Sequence, residues 1–474
     1  MDARAMTDLV LTAGVVAEAM SGRLVSGRPD EPISGVSIDS RTLTRGDLFI
    51  AIRGGRFDGH DFVEAALAAG AIGAVVTAPL MPALATWPPP AVLVNVDDTT
   101  RALQALARHT RRASGSQVVA ITGSTGKTTT KEVTAAFLEL RYGVIRSTGN
   151  LNNHIGLPLS LLDLRRRPDV AVVELGMSHA GEISTLVALA EPDVRVWTNV
   201  AEVHSAFFVS LDAIADAKAE VLEGATPRTL LVANADDPLV MARARRFAGA
   251  VRTFGTAEKA DVQAGAVEDL GLDGMATSVR TPAGTARLRI PLLGHGNLAN
   301  VLAAIAVALH YEVPLAQIIT RAASLTAAPH RGVVTRLGGG VTLVDDSYNS
   351  NPRALEAALR VIAREARCGR RVAVLGEMLE LGERSAALHA ACGRAAASAG
   401  LDRLVTVGGE PARALGTAAI GAGMSAQTVS HMPTSEAAVD RVLTFVRPGD
   451  LVLVKGSRGI RTDIVVDRLT VEFG

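Results

Sequence analysis

The sequence predicts an α/β protein of three domains: a small N-terminal α/β domain, a central doubly wound, mainly parallel sheet carrying a phosphate-binding loop, and a C-terminal Rossmann-like α/β domain. Three observations predict it. The chain has 474 residues, 48% of them hydrophobic, which is length for about three domains at ~150 residues each and enough apolar content to bury their cores. Short apolar runs alternate with helical patterns in two separate sets, the pattern of parallel sheets with crossover helices. One of those runs opens into a glycine-rich turn followed by lysine and threonines.

In chain order, residues 9–16 read as a short amphipathic helix capped near Thr7 or Asp8. A strand over residues 48–52 and an Ala-rich helix follow, up to residue 78. The prolines at 88, 89 and 90 then mark a boundary, placed at residues 98–115. The first set of strands covers residues 117–122, 170–175, 194–200 and 229–233, and the second covers 341–344, 371–375, 403–407 and 451–454. The domains are accordingly expected at residues 1–100, 101–325 and 326–474.

Lys plus Arg equals Asp plus Glu at 48 each, so no net field draws the chain to nucleic acid or an anionic membrane, and any anion site must be local. Cys368 and Cys392, the two cysteines of the chain, have no metal-ligand spacing and read as packing residues of a reducing compartment. No segment has the ~18 to 20 uncharged apolar residues of a membrane span, so a cytoplasmic protein is expected. A monomer is the default expectation.

Residues 118–129, Val-Val-Ala-Ile-Thr-Gly-Ser-Thr-Gly-Lys-Thr-Thr, run an apolar strand into a turn and then a helix. Gly123 and Gly126 let the backbone amides face one point, and the helix that follows adds its positive end there. Gly123, Ser124, Thr125, Gly126, Lys127, Thr128 and Thr129 therefore form the expected oligophosphate cradle. Lys127 is placed for the β and γ phosphates of a nucleotide and Thr128 for a magnesium ion. The loop is a shortened variant, because the commoner spacing would put glycine where Ile121 stands.

Ligands of doubly wound sheets gather at the carboxyl ends of strands. There Glu174 offers a carboxylate for the metal, and the run from Trp197 to His204 offers the amide of Asn199 and the His204 imidazole. Asn150, Asn152, Asn153 and His154 lie in a polar stretch that either turns the chain or recognises a polar substrate. Asp345 and Asp346, at the end of a strand of the second set, either accept ribose hydroxyls or cap a helix. Lys218, in the helical run Ile-Ala-Asp-Ala-Lys-Ala-Glu-Val, reads by itself as a solvent-facing lysine.

Taken together these residues resemble the Mur ligases, ATP-dependent amide-forming enzymes of bacterial cell-wall assembly, and the resemblance covers nearly the whole chain. It implies that Glu174 and His204 are metal positions, that Asn297, Asn300, Arg331 and Asp346 contact ATP, and that Lys218 is a lysine carrying a carbamate that helps hold a second magnesium ion. Lys127, His204 and Lys218 are the implied catalytic residues. The segment 37–43, with Gly46-Asp-Leu-Phe49 and Asp58-Gly-His-Asp-Phe62, is similar to a uridine-sugar-binding first domain, with Ser40 and Arg41 as implied contacts. Asn150-Leu-Asn-Asn-His-Ile-Gly156, Asp345-Asp-Ser-Tyr-Asn-Ser-Asn-Pro352 and residues 375–382 are similar to the last ligase of the series. That member joins D-alanyl-D-alanine to UDP-N-acetylmuramoyl-tripeptide, with Asn150, Asn152, Asn153, Tyr348 and Asn349 as implied substrate contacts. Two runs depart from the usual pattern: Gly294-His-Gly-Asn-Leu-Ala-Asn300 has glycine in place of a histidine, and Pro329-His-Arg331 replaces Pro-Gly-Arg.

The ligase that adds the third residue is a neighbouring reading, against which stands the absence of an Asp-Asn-Pro-Arg motif. A nucleotide-dependent switch is the reading from another class. It would want a guanine motif, for which Asn234-Ala-Asp-Asp237 is a poor substitute.

Overall fold

The computed structural model describes residues 8–55, 57–77, 91–202, 208 and 210–474. His204 and Thr7 lie outside the described residues. Three large sheets follow one another along the chain. The first has five strands, with Val92–Val96 beside Gly73–Thr77 and then Asp47–Ile50 in parallel. The second has nine strands and the third six.

The central sheet explains the position of the glycine-rich turn. Its strand Gln117–Thr122 is flanked by Val170–Glu174 on one side and Val194–Trp197 on the other, both parallel to it. The chain leaves this strand toward one edge, to Val144–Arg146 and back to Val170–Glu174, and only then crosses to the other side. A crevice therefore opens at the carboxyl end of Gln117–Thr122, where successive crossovers diverge. The strand itself is buried on both faces: Val118 and Ala120 enter one core, Val119 and Ile121 the other, as parallel strands covered by helices must be.

Beyond Ala250–Gly255 the sheet is extended by Val262–Asp269, Met275–Thr281 and Gly284–Ile290, the last two paired antiparallel. These three strands were not anticipated from the sequence, where their Gly, Thr and Arg content obscures the alternation. In the third sheet Thr342–Asp346, Leu451–Lys455, Arg371–Gly376, Arg403–Val407 and Val429–Met432 run parallel in that order, with Val333–Arg336 antiparallel at the edge.

The first helix differs from its expectation. It spans Ala13–Ala19 and is capped by Thr12, whose hydroxyl accepts from the Val15 amide. The residues before it are held extended instead, because Leu11–Thr12 pairs with Pro32–Ile33 and the Leu9 amide donates to the Arg165 carbonyl.

The sheets are not independently packed. Leu103 and Leu106 of the helix Thr99–Ser114 share one core with Leu48 and Val94 of the first sheet and Val118 and Ala120 of the second. The central and third sheets meet where the hairpin tip after Val262–Asp269 inserts Leu272 into the C-terminal core. Around it Arg364 pairs with Asp269 at 2.6 Å and Arg367 with Asp273 at 2.8 Å. The cysteines form no disulfide; Cys392 is buried in the C-terminal core, where burial pushes its thiol up to about 12. Among the described residues no helix is long and apolar enough to cross a membrane.

Candidate active site

The turn after Gln117–Thr122 takes a shape that excludes side chains at two places. Gly123 has φ 147° and Gly126 has φ 84°. A Cβ on Gly123 would strike the Thr198 hydroxyl, and one on Gly126 would strike the Asn300 amide. Glycine is thus required both for the backbone and for close approach of neighbours. The helix Lys127–Leu138 starts directly after Gly126 with no side-chain cap, which leaves its first amides to a ligand.

The turn is braced from the next strand end. The Asn199 amide oxygen accepts from the Thr125 backbone N–H at 3.0 Å, and its Nδ2 donates to the Thr125 carbonyl at 3.2 Å. Thr198 donates to the same carbonyl at 2.7 Å, and the Ser124 N–H donates to the Asn199 carbonyl at 3.0 Å. This bracing is why the strand ends at Trp197 rather than at residue 200: Thr198 and Asn199 are used to grip the loop. Replacing Asn199 with Ala leaves a turn amide without its partner, so KM for ATP is expected to rise about tenfold, measured by ADP release at varied ATP.

Lys127 is folded back on the cradle, its ammonium 2.8 Å from the Gly123 carbonyl. Burial pushes its pKa down, with Glu174 opposing and Arg331 adding to the shift. Glu174 is 2% exposed. Its Oε1 stands 3.3 Å from the Lys131 ammonium, yet has no hydrogen bond of acceptable geometry. A buried carboxylate oxygen left in that condition, beside an oligophosphate cradle with the Thr128 hydroxyl, fits a magnesium ion, which takes one or two protein oxygens and completes its shell with phosphates and water. Among the described residues no group of three or more His, Cys, Asp or Glu forms a self-sufficient metal cage.

Lys218 corrects the reading made from its helix alone. It is 2% exposed, near the end of Leu211–Ala219. Burial drives its pKa well below the ordinary lysine value, and the charge of Lys127 pushes it the same way. An amine so placed is biased toward its uncharged, nucleophilic form.

One cavity of about 1090 Å³ collects most of the residues singled out from the sequence. The central domain lines it with Ser124 to Thr129, Glu174, Asn150, Asn152, Asn153, Asn297 and Asn300, and the C-terminal domain with Arg331, Asp346, Tyr348 and Asn349. Asn153 also has a local task, accepting from the Gly156 N–H at 2.8 Å at the start of the helix Gly156–Leu162. Asn297 and Asn300 are linked to each other at 3.3 Å. Arg331 lies over the Tyr348 ring, 4.1 Å from its centroid. Asp346 pairs with Lys455 at 2.7 Å, and burial raises its pKa against that pairing. Lys455 also donates to the Asn349 carbonyl at 2.9 Å.

Ser40 and Arg41 are not among the lining residues of this cavity. Arg41 is bound to Asp39 through both carboxylate oxygens. Lys131 and Lys455 were missed from the sequence. Lys455 ends an apolar strand and the strand-end rule would have found it; Lys131 carried no signal beyond its helix. The departure at Pro329-His-Arg331 has a structural account: His330 takes φ 60° without being glycine, and its Nδ1 lies 2.8 Å from Asp345, a contact that glycine could not make.

Residues 32–111 match the model of the Mur ligase family catalytic domain, 121–308 that of the Mur ligase middle domain, and 330–458 that of the Mur ligase glutamate ligase domain. A relative in Escherichia coli is 36% identical over 97% of this chain and 98% of its own, and one in Bacillus subtilis is 34% identical over 96% and 97%. The chain belongs to the Mur ligase family. Both relatives are named UDP-N-acetylmuramoyl-tripeptide--D-alanyl-D-alanine ligase. Among solved structures, a MurF from Acinetobacter baumannii superposes with TM-score 0.87 at 30% identity, covering 98% of this chain and all of the other. MurF ligase from Thermotoga maritima in complex with ADP gives 0.78 at 29%, covering 92% and 97%. In this Mur ligase the glycine-rich turn from Gly123 to Thr129 falls within the middle domain, while Arg331 and Asp346 fall within the glutamate ligase domain.

Proposed function

We propose that this Mur ligase joins D-alanyl-D-alanine to UDP-N-acetylmuramoyl-tripeptide, with ATP converted to ADP and phosphate, in peptidoglycan precursor synthesis in the cytoplasm. The observation that carries the reading is the cavity in which the phosphate cradle of the middle domain faces Arg331, Asp346 and Tyr348 of the C-terminal domain, in a chain similar over nearly its full length to ligases of that name.

A carboxylate is a poor acyl donor because oxide would have to leave. The γ-phosphoryl of ATP is therefore transferred first to the terminal carboxylate of the tripeptide, giving an acyl phosphate and ADP. The amine of the dipeptide attacks the acyl carbon, loses a proton, and the tetrahedral intermediate expels phosphate as the amide forms. Gly123 to Thr129 hold the β and γ phosphates through backbone amides, and Lys127 leaves the Gly123 carbonyl to pair with them. Magnesium held by Thr128 and Glu174 would offset the phosphate charge during transfer. Asn297, Asn300, Arg331 and Asp346 orient the rest of the nucleotide.

Because the two halves of this site lie on different domains, their approach completes it and shields the acyl phosphate from water. Residues 1–100 are assigned to the uridine sugar, with Ser40 and Arg41 among its contacts. Residues 101–325 are assigned to ATP, and 326–474 to closing on ATP and receiving the dipeptide. Asn150, Asn152, Asn153, Tyr348 and Asn349 are assigned to substrate. His204 is assigned, with a carbamate on Lys218, to a second magnesium ion. The carbamate forms when the neutral Lys218 amine adds to carbon dioxide and releases a proton.

The test is release of ADP and phosphate with magnesium-ATP, UDP-N-acetylmuramoyl-tripeptide and D-alanyl-D-alanine, each omitted in turn, with the product weighed. Release that requires all three and yields a pentapeptide is the expected result. Turnover with a single amino acid in place of the dipeptide would move the chain to a sister ligase, and turnover with ATP alone would favour a switch.

A further inference from the structure

The strand Arg371–Gly376 is followed by a loop, Glu377 to Leu381, that brings Leu379, Glu380 and Leu381 to the wall of the large cavity. Two features of this wall suit a small dipeptide. Leu379 is 41% exposed, an apolar side chain left open on the cavity wall and able to meet methyl groups. Glu380 adds a carboxylate of the sign an incoming ammonium requires, and it takes φ 64° without being glycine, a conformation that persists only where surroundings impose it.

Those surroundings are specific. The Leu379 N–H donates to the Ser457 hydroxyl at 2.9 Å, and the Glu377 N–H donates to the Val407 carbonyl at 2.8 Å. Between them the Met378 N–H donates to Nε2 of His389 at 2.9 Å. His389 is fully buried on the helix Ser385–Ser398. Its Nδ1 lies 2.7 Å from the Ser385 carbonyl one turn back. Since Nε2 accepts, the ring proton sits on Nδ1 and is donated to that carbonyl. Both nitrogens are committed, and burial lowers the ring's pKa, which favours the neutral form this pairing needs. The ring thus joins a buried helix to the backbone of a loop that stands in the cavity.

We propose that His389 is a positioning residue for the incoming dipeptide, fixing through the Met378 amide the loop whose Leu379 and Glu380 receive D-alanyl-D-alanine. The proposal rests on the functional reading above. It separates the dipeptide end of the cavity from the phosphate end, which Asn199 and the glycines position independently.

The experiment compares the wild type with His389→Leu and His389→Gln in KM for each of the three substrates and in hydrogen exchange of residues 376–382. His389→Leu is expected to raise KM for the dipeptide about tenfold, the loss of one well-placed hydrogen bond, and to leave KM for ATP within about twofold. Exchange in the loop should quicken. Gln can offer an acceptor near the place of Nε2, so His389→Gln should recover most of the dipeptide KM; should the leucine variant not fold, His389→Asn, whose shorter amide does not reach the Met378 N–H, replaces it and is expected to show the same rise. A rise shared equally by all three KM values, or no change in dipeptide KM or loop exchange, overturns the role of His389. A wild type that does not turn over the dipeptide overturns the functional reading instead.

Discussion

Replacing Lys218 with Ala is expected to reduce ligation by a factor on the order of 10³ without lowering the melting temperature, and formate or acetate at high concentration should restore part of the activity. The two halves of the expectation come from one fact. Lys218 is buried, and the charge acting on it is another cation, Lys127, so as an ammonium it would oppose folding rather than support it. Removing it therefore takes away no favourable pairing. Such a residue makes sense if it works in a different chemical form: a carbamate there would convert an unfavourable cation into an anion near Lys127. A small carboxylate can occupy the space that Ala leaves and present the same pair of oxygens. Full activity in the unrescued variant, measured by ADP release, would sink the carbamate; a large fall in melting temperature would mean that Lys218 is structural.

The contrast between Lys127 and Lys218 also shows what can be read from sequence and what cannot. The glycine turn was legible because its backbone requirements restrict residue type: positive φ at Gly126 and close approach of Thr198 to Gly123 leave glycine as the residue that fits. Most strand ends were legible to within a residue or two as well, since apolar runs stop where the chain turns polar; the exception is the run 194–200, whose strand ends at Trp197. Burial of Lys218 was not legible from its composition, although its helix held a signal. Ile214 and Ala215, four and three residues earlier, are both buried, so the apolar stripe of the helix passes through Lys218.

Tertiary facts left no local trace. Nothing in residues 262–290 announces that a hairpin tip will place Leu272 in the core of the next domain, because the sequence around Leu272 is that of any turn. Likewise His330 looked like an isolated departure from a glycine position, and its meaning appears only with Asp345 brought to 2.8 Å. The shared core of the first two sheets is of the same kind. The helix Thr99–Ser114 fell at an expected boundary, and its role as the packing element between sheets depends on which partners fold onto it.

Replacing Lys127 with Met should lower kcat/KM for ATP by a factor on the order of 10³, about 4 kcal/mol of transition-state stabilisation at 1.4 kcal/mol per tenfold. The protein should remain folded, and binding of the uridine nucleotide should be unchanged. Lys127 contacts the Gly123 carbonyl, a backbone group that water can satisfy once the cradle is open. Glu174, the carboxylate acting on Lys127, keeps the Lys131 ammonium at 3.3 Å and so is not stranded as an unpaired buried charge. Met preserves the apolar stem and removes the ammonium, so the variant isolates charge from packing. Arg331 acts on Lys127 in the same electrostatic sense, so the two cations repel each other. Their repulsion is relieved when a triphosphate enters between them, and part of the binding selectivity for ATP over ADP should arise from that relief. In Lys127→Met the preference for ATP over ADP, measured by competition at equilibrium, is therefore expected to narrow along with the rate. An unchanged preference would assign Lys127 to the transferring phosphoryl group alone.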